Sequence, residues 1–256
     1  MANISNKAQQ MPASAIRKLV PFADAAKKEG VKVYHLNLGQ PDIKSPACAL
    51  EAIKNYSKEN ISYSHSAGLM ELRQGLVEKY YKNIGIDITV DELIVTVAGS
   101  ESVNLALEIA CDPGDEVLVL EPFYTNYNTF AFMNELTLKA IPTDIRKGFQ
   151  IPDIEEFEKA ITPKTKAILI CNPGNPTGTQ YSKESMLALG EIARKHDLFL
   201  LSDEVYREFC YTDEPHFSAM NIPGLEQNVI LIDSVSKRYN LCGARIGCIV
   251  SHNKDV

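Results

Sequence analysis

The 256-residue sequence has no apolar run of 18 residues, the length a helix needs to cross a bilayer, so no membrane span is expected. Its first stretch, MANISNKAQQMPASAIRK, lacks the apolar core of a secretory signal. Positive charge is scarce. Against 33 Asp and Glu there are 26 Lys and Arg, and a net charge of −7 argues against a nucleic-acid partner, which needs a basic face. The six cysteines (Cys48, Cys111, Cys171, Cys210, Cys242 and Cys248) form no CxxC and no zinc spacing, and the five histidines form no HxxxH or Cys/His cluster. No metal site is expected. Most of the cysteines sit in or beside apolar runs, where a free thiol behaves as a small hydrophobe, and the cytoplasm is the expected compartment. Internal repeats and low-complexity tracts are absent. What is present is the composition of a soluble globular protein, 45% apolar and 23% charged, long enough for a sizeable core.

From residue 90 onward, short apolar runs alternate with helical patterns. LIVTV (93–97), EVLVL (116–120), AILIC (167–171), LFLLS (198–202), VILID (229–233) and IGCIV (246–250) predict buried strands, because continuous apolar runs suit a sheet covered on both faces. Between them, KESMLALGEIARK (183–195) sets Met186, Leu189 and Ala193 on one helical stripe, and SESVNLALEIA (100–110) opens with a serine suited to an N-cap. The alternation predicts an α/β fold with a mostly parallel sheet sandwiched by helices. A helical stretch around 14–29 ends at Gly30, and an extended segment with a Gly/Pro turn follows, VYHLNLGQPDIKSP. A domain boundary near residue 45 is expected, with the segment before it outside the main sheet.

In an open α/β sheet, ligands bind beyond the carboxyl ends of the strands. Those ends carry AGSES after 93–97, NPGNPTG after 167–171, DEVY after 198–202 and SVSK after 229–233. Each piece has a plain alternative. AGSES serves as a turn and an N-cap, NPGNPTG as a rigid turn, Asp203 as a cap, Tyr206 as a half-buried core tyrosine, and Lys237 as a surface lysine. Together they concentrate hydroxyls, an amine, a carboxylate and backbone N–H groups at one sheet edge, with Arg245 eight residues beyond Lys237. Ala98, Gly99 and Ser100, at a helix start, would suit an anion.

SVSKRYNLCGARIG (234–247) matches the SxSKxxxxxGxRxG pattern of the class I/II aminotransferases, fold-type-I pyridoxal-phosphate enzymes related to aspartate aminotransferase. NPGNPTG matches that family's NPxNPTG, and SDEVY, YSHSAGLMELR and LNLGQPD also fit, so the resemblance runs in order from about residue 12 to the end. It implies that Lys237 forms the Schiff base with the cofactor and then serves as general base. Asp203 would face the pyridine nitrogen and keep it protonated. Asn175 and Tyr206 would donate to the phenolic oxygen. Arg245 would pair with the phosphate, helped by Ser234, Ser236 and the Ala98–Gly99–Ser100 turn. Tyr124 would stack on the ring, and Tyr63 would reach the phosphate of a neighbouring subunit, implying a homodimer. Gly39, with Asn175, would approach the substrate carboxylate.

The resemblance assigns residues 1–45 to the N-terminal segment of a small, substrate-closing domain and 46–256 to the cofactor-binding large domain. Family members continue well past the equivalent of Val256. Their remaining part completes the small domain and carries an arginine for the substrate α-carboxylate, so a fragment or a short gene product is expected, weakly active or inactive by itself. The implied function is transfer of an amino group between an amino acid and a 2-oxo acid. A C–S lyase of the same fold and a non-catalytic pyridoxal-phosphate-binding module stay open, as do aspartate, alanine and aromatic donors; Ser100 stands where some relatives carry a lysine for an acidic side chain.

Overall fold

The computed structural model describes residues 2–14, 16–37, 39–57 and 59–256. Short helices come first: α1 (Asn6–Gln10), α2 (Val20–Lys28), α3 (Ala47–Lys54) and α4 (Met70–Leu76). Strands β1 (Leu93–Thr96), β2 (Glu116–Glu121), β3 (Thr137–Pro142), β4 (Thr165–Cys171), β5 (Phe199–Asp203), β6 (Val229–Ser234) and β7 (Gly247–Val250) then form one sheet in the order β1-β7-β6-β5-β4-β2-β3. Between them lie α5 (Ala98–Ala110), α6 (Asn126–Met133), α7 (Ile154–Ala160), α8 (Lys183–Lys195) and the single turn α9 (Val235–Arg238).

The strand runs are continuous because the sheet has two cores. Along β2, Leu118 and Leu120 face one cluster, with Met186, Leu189, Ile192 and Ala193 of α8. Val117 and Val119 face the other, with Val103, Ala106 and Leu107 of α5. Each residue alternates to the opposite face, and both faces are covered. The six expected strands are all present. β3 is an addition: TLKAIP is an edge strand paired only with β2 and partly exposed, so it carries no continuous apolar run.

Helix α8 spans the expected residues. The Ser182 side chain accepts from the Ser185 N–H at its start, and Arg194 and Lys195 stand in its last turn, where cations suit the dipole. The start of α5 differs from expectation. It begins at Ala98, so Ser100 lies inside the first turn rather than at the cap, and Glu101 reaches back to accept from the Val97 N–H. Over 14–29, a 3-10 turn (Arg17–Leu19) leads into α2. No described residue before Arg73 is buried.

Candidate active site

Strands β1 and β6 both run opposite to β7, so the carboxyl ends of β1, β2, β4, β5 and β6 share one edge. The start of β7 lies there as well, with Gly247 opposite Thr96 and Ser234. A Cβ on Gly247 would stand 2.5 Å from the Ala98 carbonyl carbon and 2.7 Å from the Gly99 nitrogen. Only glycine lets the β7 backbone pass so close to the start of α5. Gly99 in turn abuts Val205 and Ser234, so the first turn of α5, the turn after β5 and the turn after β6 meet.

Asp203 closes β5 and is buried. Its Oδ2 accepts from the Tyr127 hydroxyl at 2.7 Å and its Oδ1 from the Val205 N–H at 3.3 Å. Burial pushes its carboxyl up to about 6, against the pull of these two donors. Tyr127, itself buried on α6, packs edge-on against Tyr124 with ring centroids 5.4 Å apart. The Tyr124 hydroxyl accepts from Asn126 at 2.7 Å, and its ionisation is held up by burial first and then by the Asp203 charge.

A second group surrounds Gly39. The Lys237 ammonium donates to the Gly39 carbonyl at 2.9 Å, and the Tyr206 hydroxyl reaches the same oxygen at 3.4 Å. Asn175 donates to that hydroxyl at 3.5 Å. Lys237 also lies 5.7 Å from the Tyr206 ring centroid. A Cβ on Gly39 would stand 2.7 Å from the Tyr206 oxygen, so a side chain there would push the phenol aside. Burial is the largest influence on Tyr206 and keeps its phenol protonated. The segment leading away from Gly39 is tied to the lysine loop: Asn240 donates to the Ile43 carbonyl, and the Ser45 hydroxyl donates to the Asn240 carbonyl at 2.6 Å.

In the loop after β6, Ser234 accepts from the Ser236 N–H at 3.1 Å, capping α9, and its Oγ lies 2.9 Å from both the Ser236 hydroxyl and the Ile246 carbonyl. Its hydroxyl thus already serves the loop, whereas Ser236 Oγ touches Ser234 alone. Arg245 is exposed, in the left-handed region at φ 55°, and donates through Nη1 to the Cys242 carbonyl at 2.9 Å. Ala98 is left-handed as well, at φ 63°. Such non-glycine conformations cost about 1–3 kcal/mol each and gather at functional sites. Tyr63 stands apart from all these groups and is fully exposed.

The sequence profile described as "Aminotransferase class I and II" matches residues 31–256. The chain belongs to this family. It is 34% identical over 248 residues to the aspartate/prephenate aminotransferase of Thermus thermophilus, covering 96% of this chain and 63% of that protein. A putative aminotransferase of Bacillus subtilis, YugH, is 37% identical over 246 residues, covering 95% and 62%. Among solved structures, a double mutant of the Thermus thermophilus aspartate aminotransferase superposes with a TM-score of 0.91 at 32% identity, covering all of this chain and 66% of that one. The chain thus spans under two thirds of these curated relatives.

Three of the motifs that carry the resemblance, SVSKRYNLCGARIG, NPGNPTG and SDEVY, sit on this shared sheet edge. Lys237, Tyr206, Asn175 and Gly39 converge in one hydrogen-bonded group, while Asp203 and Tyr124 form a second through Tyr127. Sequence reasoning passes over Tyr127. The available signal was its spacing, three residues after Tyr124 in EPFYTNY, which brings both onto one side of a helical turn. Among the described residues no helix is long and apolar enough to cross a membrane, and no three His, Cys, Asp or Glu side chains are grouped to hold a metal ion.

Proposed function

We propose that this site binds pyridoxal phosphate at Lys237 and moves an amino group between an amino acid and a 2-oxo acid. The observation that carries the proposal is the meeting of Lys237 and Tyr206 at the Gly39 carbonyl, with Asn175 on the Tyr206 hydroxyl, at the sheet edge where Asp203 lies buried. The donor set fits the cofactor. Asp203 is a buried carboxylate whose donors among the described residues, the Tyr127 hydroxyl and the Val205 N–H, are neutral, so a cationic ring N–H would suit it. The first-turn N–H groups of α5 have no acceptor within the helix, and with Ser236 and Arg245 they offer hydrogen bonds to a phosphate; Ser234 is the remaining candidate there. Bound in this site, the cofactor supplies a carbonyl for amine exchange and a ring that withdraws electrons from the substrate.

The chain's own groups divide the remaining work. Lys237 Nζ would take the proton from substrate Cα and return it. Asp203 would hold a proton on the ring nitrogen. Tyr206 and Asn175 donate toward the phenolic oxygen, and Asn175 with Gly39 receives the substrate carboxylate. Tyr124 covers the ring. Tyr63, fully exposed on its own subunit, reaches a neighbouring subunit's phosphate in a homodimer. Residues 1–45 form the smaller, closing domain's N-terminal segment, and 46–256 the cofactor domain.

Borohydride reduction of protein supplied with pyridoxal phosphate, followed by peptide mapping, tests the assignment. A pyridoxyl adduct on Lys237 is expected, and an adduct on another lysine, or none, overturns it. Assaying 2-oxo acid release with and without an acceptor 2-oxo acid tests the reaction. Transfer requires the acceptor, and release without one identifies a lyase instead.

A further inference from the structure

A buried ionic cluster that the proposed function does not use lies against the lysine turn. Asp233, at the end of β6, is buried, and both its oxygens accept from Arg238 Nη2 at 2.8 Å. The Tyr81 hydroxyl donates to the same carboxylate at 2.8 Å, and the Ser234 N–H does so at 2.7 Å. The Arg238 side chain is itself only 5% exposed. Its guanidinium carbon lies 3.6 Å from the Tyr80 ring centroid, and its Nε lies 3.4 Å from Glu208. Tyr80 is the hub. Its hydroxyl donates to Glu208 at 2.6 Å and accepts from Arg207 at 3.4 Å. Arg207 grips Glu204 through Nε at 3.1 Å and Nη2 at 2.6 Å, and Glu204 is held in turn by Ser202, Ser218 and the Ala219 N–H.

Glu204, Arg207 and Glu208 flank Tyr206, while Asp233 and Arg238 flank Lys237. The cluster therefore joins the two turns that present the site's phenol and amine. α9 is a single turn, too short to hold its own shape, because helix nucleation is unfavourable without tertiary ties. Ser234 fastens its start, and its last residue is Arg238.

We propose that Arg238 is a positioning residue for Lys237: by gripping Asp233 and stacking on Tyr80, it fixes the lysine turn in register with the Tyr206 turn. The inference rests on Lys237 being the reactive amine of the proposed function. A lysine at position 238 would keep the charge but lose the planar guanidinium that stacks while reaching both Asp233 and Glu208.

The test is competitive acetylation of the cofactor-free protein, read by mass spectrometry as the reactivity of Lys237 relative to Lys164 and Lys166 at the opposite end of the sheet. In Arg238→Lys the ratio should rise about threefold or more as the turn loosens, and in Tyr80→Phe, which keeps the ring but loses the hub hydroxyl, by a smaller factor. Arg238→Met strands the Asp233 charge and is the variant most exposed to misfolding; the other two keep the test decisive. A wild-type ratio in Arg238→Lys overturns the proposal, and so does an equal rise at all three lysines, which signals general loosening. As a second readout, the circular dichroism induced in bound pyridoxal phosphate should fall by about half in Arg238→Lys at full occupancy, because it reports a fixed orientation. An unchanged signal counts against the clamp. If Lys237 takes no cofactor in the wild type yet its reactivity still rises in the variant, the proposed function falls and the clamp stands.

Discussion

A carboxylate is seldom buried beside neutral donors alone, and at Asp203 this arrangement carries a measurable cost. Its folded value of about 6 lies above the unfolded 3.8. A raised carboxyl means that the folded state binds the proton more tightly, so the penalty is full above pH 6 and disappears as pH falls toward 4. By linkage it amounts to about 3 kcal/mol at neutral pH. Asp203→Asn should therefore stabilise the cofactor-free protein at pH 7.5, raising Tm by roughly 5–10 °C, with no gain near pH 4. Thermal unfolding at the two pH values checks this. The same variant should abolish amino-group transfer, because no carboxylate remains to keep the ring nitrogen protonated; near-normal turnover in a chain of full family length would refute that role. Tyr127→Phe acts oppositely on the acid. It removes the donor that pulls Asp203 down, so the lower pH limit for cofactor binding should move up by about one unit, seen in binding titrations across pH 5–8.

At the scale of elements, the close passage of β7 over the first turn of α5 is the joint on which the proposed phosphate site depends. The neighbours of a Cβ at Gly247 are backbone atoms, which cannot swing aside as a side chain can. Gly247→Ala should cost about 1–3 kcal/mol by overpacking and weaken cofactor affinity at least about tenfold by displacing the Ala98–Ser100 turn. Chemical denaturation and equilibrium binding measure the two effects separately. Much of this architecture was legible in the sequence, since strands buried on both faces leave unbroken apolar runs and α8 leaves its apolar stripe. β3 escaped because an edge strand needs no such run. The cap expected of Ser100 failed because the helix begins two residues earlier, on a left-handed alanine that no propensity favours. Nothing in the sequence pairs Glu204, Arg207, Asp233 and Arg238 with one another, and only the fold brings them together in the interior.

Over the molecule as a whole, apolar surface is distributed unevenly. Phe22, Leu36, Ile61 and Tyr63 all lie before Arg73, where no described residue is buried, and each is at least 74% exposed. Large apolar side chains left open within one part of the chain suit an association surface. If it carries the proposed homodimer contact, sedimentation should show concentration-dependent dimerisation, and Ile61→Asp should shift the protein to monomer without altering the unfolding of the sheet body. A monomer at all concentrations counts against the pairing. The contact between Gly39 and Lys237 reaches further, into how the chain is cut. With the Gly39 carbonyl on the ammonium, and with Ile43 and Ser45 fastened to Asn240, residues 39–45 are held against the lysine turn by a few polar ties and by no buried side chain of their own. A protease reaches such a segment whenever those ties open, so the cleavage rate there counts the openings. Ser45→Ala, which removes one fastening, should speed cleavage within residues 39–45 severalfold while the sheet body stays intact, so one hydroxyl sets how long the chain's first segment survives.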